Sequence, residues 1–171
     1  MSFTIIGCGD FYNQDREPVW CPWTQRPGDV SEYVLHAIGD PDAEADFTHL
    51  YDFARFLVAT VCEPEKSRDQ YLNFVSDTIS HRKIADLMEQ YTGKSVRLEN
   101  ISFEKMHKVI GDESQAPESL RKHSAFPVDF WFLVKGTQGQ GRFVRPKSQI
   151  HNELFPRIKV TTFQDYLKAR Q

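Results

Sequence analysis

The residues best suited to chemistry come at the start of the chain. Phe3-Thr4-Ile5-Ile6 reads as a strand, and it runs into Gly7-Cys8-Gly9-Asp10-Phe11-Tyr12. A strand followed by G-x-G has the opening of a dinucleotide cradle. That cradle needs G-x-G-x-x-G, because the third glycine lets a helix pack close with its N-terminus facing a pyrophosphate. Tyr12 stands at the third position, and Gln14-Asp15-Arg16-Glu17-Pro18 does not begin a helix, so no phosphate cradle is expected. Crevices at the carboxyl ends of strands hold ligands in α/β sheets. Gly9, Asp10, Phe11 and Tyr12 are therefore candidate pocket residues. Cys8 is a thiol beside them, but no motif places a base next to it, and buried thiols are inert.

Other reactive side chains are scattered. The histidines (His36, His49, His81, His107, His123 and His151) have no H-x-x-x-H spacing, and Cys8, Cys21 and Cys62 have no C-x-x-C spacing. No metal site is expected. His151, in Gln149-Ile150-His151-Asn152, is a polar loop residue able to line a pocket, whereas His81 follows a capping serine and is expected exposed in a first helical turn. Asp129 lies among Val128, Phe130 and Trp131. It is either a partly buried carboxylate paired with Arg142 or Lys135, or a first-turn acid favoured by the helix dipole. Phe130, Trp131 and Phe132 read as core, with Trp131 kept as a pocket candidate. No Ser-His-Asp or paired-carboxylate spacing is present.

The elements that must position these groups are legible in part. Phe3–Cys8 reads as a strand buried on both faces, and Tyr33–Ile38, Tyr71–Val75 and Val96–Ile101 as further strands. Asp46 or Thr48 is expected to cap a helix reaching Cys62, with Leu50, Phe53, Ala54, Leu57, Val58 and Val61 on its buried face. Ser76-Asp77-Thr78 reads as a turn. Ser80 and Ser102 cap two more helices, which Gly93 and Gly111 end. The stretch Phe130–Val134 is apolar nearly all round, Gly136, Gly139 and Gly141 read as a loop, and Thr162-Phe163-Gln164-Asp165 resembles a capping box. Strand and helix alternate, so the fold class is α/β, but three or four strands are too few for a complete doubly wound sheet.

Bulk properties exclude several classes. The chain has 171 residues, 40% apolar and 13% aromatic, with a net charge of -3 and interspersed signs. That suits one domain with a real core and offers no basic stripe for nucleic acid. No apolar run reaches the length of a membrane span, and no secretory signal pattern precedes the first strand, so a cytoplasmic protein with reduced thiols is expected.

The run Leu72-Asn73-Phe74-Val75-Ser76-Asp77-Thr78-Ile79-Ser80-His81, with Ile84-Ala85 and Tyr91-Thr92-Gly93-Lys94, resembles the C-terminal half of the NmrA-like and isoflavone-reductase-like proteins. These are atypical short-chain dehydrogenases/reductases. Ser124 to Gly136 and Gln138-Gly139-Gln140-Gly141-Arg142-Phe143 are similar to the substrate-side segment of fungal members. The resemblance implies a partial Rossmann-type fold, with late sheet strands and a C-terminal helical substrate-binding subdomain. On that plan 1–171 is a single domain, with 1–80 a remnant of the coenzyme-domain sheet and helix and 81–171 the substrate side. The family's glycine-rich loop, its 2′-phosphate-selecting residues and its catalytic lysine or tyrosine helix have no counterpart here; the first lysine is Lys66.

The expectation is therefore a truncated NAD(P)H-dependent oxidoreductase. Its parent activity reduces a small aromatic or polyketide-like metabolite. NADP(H) is implied by the family but is not expected to bind this chain alone; Gly7 and Cys8 approach the nicotinamide only if a coenzyme half is supplied. The implied partners are a small-molecule substrate, and either a complementary N-terminal half or a second copy. Two other readings stay open, a cofactor-independent cyclase or isomerase and a non-catalytic regulatory module.

Overall fold

The computed structural model describes residues 2–15, 17–121, 124 and 126–171. Arg16, His123 and Ala125, which fall in stretches quoted above, lie outside the described residues. In chain order the elements are β1 (Thr4–Cys8), β2 (Asp10–Phe11), β3 (Tyr33–Ile38), β4 (Glu44–Thr48), α1 (Leu50–Cys62) and α2 (Pro64–Ser67). There follow β5 (Gln70–Phe74), β6 (Asp77–Ser80), α3 (His81–Thr92), β7 (Val96–Ile101), α4 (Phe103–Gly111), α5 (Glu118–Arg121), α6 (Val128–Gly139) and α7 (Phe163–Lys168). β1 pairs with β5, β2 with β4 and β3 with β7, all in parallel, while β4 and β6 pair antiparallel. The fold is mixed α/β with parallel strand pairs.

Side-chain alternation explains the β1–β5 pair. Ile6, Leu72 and Phe74 share one face and pack on Phe56 and Ala59 of α1 and on Phe155. The Phe56 and Phe74 rings stack with centroids 4.2 Å apart. The other face carries Phe3, Ile5 and Tyr71, all exposed. β1 is thus covered on one face, not on both as its sequence suggested.

α1 departs further from the expected pattern. Its buried residues are Asp52, Phe56, Ala59 and Thr60, whereas Val58 and Val61 are exposed. The cause is Asp52. Its Oδ2 accepts from the Thr161 N–H (2.6 Å) and Ser76 Oγ (2.9 Å), which turns this edge of the helix inward. The helix is capped from His49, because Asp46 and Thr48 belong to β4. Asp46 is fully buried there, accepting from Thr78 Oγ1 (2.9 Å) and the Arg145 N–H (2.8 Å). Asp77 and Thr78, expected in a turn, form the start of β6.

The local signals at helix ends hold. Ser80 and Ser102 accept from the N–H groups of Lys83 and Lys105, and Gly93 ends α3 at φ 66°. Thr162 and Asp165 form a reciprocal capping box on α7. Thr162→Ala is expected to cost about 1 kcal/mol of unfolding free energy, measured by urea denaturation. Gly136 and Gly139 are not loop residues but the last turn of α6. A Cβ on Gly139 would stand 1.6 Å from the Ile38 carbonyl oxygen, so glycine is what lets α6 lie against β3. The main core gathers side chains from Tyr12 to Leu167, including Trp20, Trp23, Phe47, Trp131 and Phe163. No described helix is long and apolar enough to cross a membrane.

Candidate functional site

Between β1 and β2 the chain changes pairing partner at Gly9. The Gly9 N–H donates to Thr48 Oγ1 at 2.8 Å, and a Cβ here would lie 2.4 Å from the Asp46 carbonyl oxygen. Only glycine lets the chain come close enough for Asp10 to register against Phe47. That pairing fixes Asp10, whose Oδ2 accepts from Lys135 Nζ (3.0 Å) and Gln138 Nε2 (2.9 Å) of α6.

The ion pair is buried, with the Lys135 side chain 3% and the Asp10 side chain 9% exposed. The ammonium sits 5.4 Å from the centre of the Trp20 ring and 5.9 Å from that of Phe47, which adds a cation–π attraction. Trp20 Nε1, Gln138 Oε1 and His81 Nε2, all on residues bordering this pair or the Phe47 ring, are buried without a hydrogen-bond partner among the described residues.

A recess of about 220 Å³ opens in front of Asp10, walled by Phe11, Trp20, Phe130, Val134 and Phe143. Phe126 also lines it, and the rings of Phe126 and Phe130 lie 5.5 Å and 5.8 Å from that of Trp20. This is an aromatic slot with one carboxylate at its base. It can hold a flat apolar molecule and accept a hydrogen bond from it.

The residues singled out from the sequence divide. Gly9, Asp10 and Phe11 meet in this recess. Tyr12 points the other way; it is fully buried, donates its hydroxyl to the Thr161 carbonyl (2.6 Å), and is pushed far above the usual phenol range by burial. Trp131 is core, edge-on to Phe132. His151 serves β5 instead, donating its N–H to the Asn73 carbonyl (2.9 Å) and accepting the Asn73 N–H at Nδ1 (3.1 Å). Cys8 is half-buried, with its thiol raised by burial, and its carbonyl accepts from Arg145 Nη2 at 2.9 Å. Asp129 is a first-turn acid of α6 that accepts its neighbour's N–H; Lys135 is committed to Asp10 instead.

His81, expected exposed, is 2% exposed, and burial pushes its imidazole down to about 3, with the Lys135 charge adding. The site residues that sequence reading missed are Lys135, Gln138 and Trp20. A single lysine after the apolar run Phe130–Val134 was the available signal, since a charge on such a helix needs a buried partner.

The first turn offers no seat for coenzyme phosphates. Gly9 serves the strand crossing, the space beside Gly7 is filled by Asn73 Oδ1, and Tyr12 is locked in the core. Among the described residues no group of three or more His, Cys, Asp or Glu is placed to hold a metal ion.

The chain is 31% identical over 145 residues to an isoflavone reductase homologue from Zea mays, an alignment covering 82% of this chain and 44% of that protein. The crystal structure of an isoflavone reductase superposes with a TM-score of 0.71 at 18% identity, covering all of this chain and 53% of the other. A leucoanthocyanidin reductase–NADPH complex from Vitis vinifera superposes with a TM-score of 0.70 at 13% identity, covering 99% of this chain and 52% of the other. The chain thus spans about half the length of these relatives. The profile of the NmrA-like family matches residues 6–167, and the chain belongs to that family.

Proposed function

We propose that this chain forms the substrate side of an NAD(P)H-dependent reductase acting on a small aromatic or polyketide-like metabolite. The observation that carries this reading is the aromatic recess at Gly9-Asp10-Phe11, at the carboxyl end of β1, in a chain of the NmrA-like family. Trp20, Phe126 and Phe130 offer ring faces to a flat molecule. Lys135 and Gln138 both bond Asp10 Oδ2, which leaves Oδ1 to accept a hydroxyl of the bound molecule and orient it.

The relatives named as NADPH complexes hold that coenzyme as whole proteins. The residues described here do not fit its phosphates. The coenzyme is therefore assigned to a glycine-rich strand–loop–helix that these 171 residues do not contain. Such a segment has a surface to pack on. β1 pairs on one side only among the described residues, and Phe3, Ile5 and Tyr71 lie open on its uncovered face. Unpaired edges and apolar patches of this kind mark sites of association. The free thiols of Cys8, Cys21 and Cys62 support a reducing, cytoplasmic setting.

Fluorescence titration with NADPH tests the division of labour. This chain is expected to show no saturable binding at micromolar coenzyme, and to contribute to binding only when an NmrA-like coenzyme segment is supplied. Micromolar binding by the chain alone would contradict the proposal.

A further inference from the structure

A second, larger recess of about 640 Å³ adjoins the first and shares Gln14 and Phe126 with it. His49 stands in its wall, in the single-residue link between β4 and α1. The His49 N–H donates to Ser76 Oγ at 2.9 Å, which fixes its backbone. Its ring is wedged between aromatic neighbours, with the rings of Tyr12, Tyr51 and Tyr166 centred 5.4, 5.5 and 6.0 Å away. The side chain is 13% exposed, and Nδ1 is buried 3.7 Å from Asp52 Oδ1.

Asp52 is fully buried. It accepts from Ser76 Oγ, the Thr161 N–H and Thr161 Oγ1, and also pairs with Arg55. A fixed carboxylate on the Nδ1 side favours the tautomer with its proton there, and this leaves the Nε2 lone pair as the ring's acceptor. Burial lowers the imidazole's proton affinity and the Arg55 charge lowers it further, while Asp52 opposes both. The ring is accordingly neutral near pH 7.

The other groups of the wall narrow the ligand class. Tyr51, Phe126 and Tyr166 supply aromatic surface. Asp15, Glu17 and Arg170 line it as well. The Arg170 guanidinium is already bonded to the Tyr166 hydroxyl (3.0 Å) and the Thr24 carbonyl (2.8 Å). With a neutral imidazole in its wall, the recess suits a hydroxyl donor.

We propose that His49 Nε2 accepts a hydrogen bond from an aromatic hydroxyl, so that this recess selects phenols over their ethers. The inference rests on the reading that this face of the chain takes a small aromatic molecule. The interaction is a hydrogen bond alone, with no covalent bond made or broken.

Calorimetric titration with 2-naphthol and 2-methoxynaphthalene tests it on the full chain, the His49→Phe variant and the His49→Gln variant. The wild type is expected to bind 2-naphthol about ten-fold more tightly than the ether, the size of one lost hydrogen bond. His49→Phe keeps an aromatic ring but no acceptor, and should bind both compounds as the wild type binds the ether. His49→Gln should keep part of the preference. In the wild type the Nε2 ¹⁵N resonance of His49 should shift with 2-naphthol and not with the ether, a readout independent of how well either variant folds. Equal binding of the two compounds by the wild type, or an unmoved Nε2 resonance, overturns the role of His49 while leaving the aromatic site standing. Binding of neither compound overturns both.

Discussion

Lys135→Met is expected to lower the unfolding free energy by about 3–5 kcal/mol, the range for breaking a buried pair by removing one partner. Among the described residues the Asp10 carboxylate, 9% exposed, would keep only the Gln138 amide as donor. Methionine fills much of the lysine volume, so the cost comes chiefly from the uncompensated charge and not from a cavity. The double variant Asp10→Asn with Lys135→Met tests that origin. It removes both charges of the pair and keeps an acceptor for Gln138, so it should recover a large part of the loss. Urea denaturation of wild type, single and double variants at pH 7 gives the comparison. A double variant as unstable as the single one would show that packing, not charge, accounts for the effect.

His81 governs the second large effect, through pH. Its folded-state imidazole is pushed down to about 3 by burial, with Lys135 adding, whereas the unfolded chain takes up the proton near 6.5, the ordinary value. The unfolded state thus binds more protons between these values. The contribution of a neutral His81 is complete above about pH 6.5 and is lost progressively as the pH falls toward 3. At pH 5 the loss from this one group is about 2 kcal/mol. The His81 Nε2 has no hydrogen-bond partner among the described residues, so His81→Leu sacrifices no bond at that atom. His36 and His49 are also lowered by burial, and the informative quantity is the difference between wild type and His81→Leu. The variant should lose about 2 kcal/mol less than the wild type between pH 7 and pH 5. Identical losses would mean that the His81 imidazole is hydrated or protonated in the folded protein.

What the sequence made legible was local. Ser80, Ser102 and Thr162 cap helices because a side-chain oxygen reaches an N–H three residues on, an arrangement contained within one turn. Tyr33–Ile38 and Val96–Ile101 read as strands on their own side chains and pair in register along their whole lengths. The misreadings concern groups satisfied from far away. Asp46 looked like a cap because acids favour that position, but in β4 it is satisfied by residues 32 and 99 positions on, Thr78 and Arg145. The stripe Leu50–Val61 gave α1 an apolar face without saying what covers it; Asp52 and its partners turn another face inward.

The same division applies to the site. Gly9, Asp10 and Phe11 stood out as the end of a strand followed by glycine. Lys135 and Gln138, 125 and 128 positions away, have no local signal tying them to Asp10. His81 beside a capping serine looked solvent-exposed because nothing nearby announces the packing of Phe47 over it.

On the proposed function, the recess before Asp10 is where this chain holds a small aromatic molecule. Backbone amide shifts of the ¹⁵N-labelled chain, followed during titration with 2-naphthol, test it most directly. Shifts should centre on Gly9 to Phe11, Phe130 to Val134 and Phe143, the segments that wall the recess, and extend through the shared Gln14 to His49 of the adjoining one. Shifts centred on the apolar groove of α1 between Val58 and Ile158, or no saturable change at all, would contradict it.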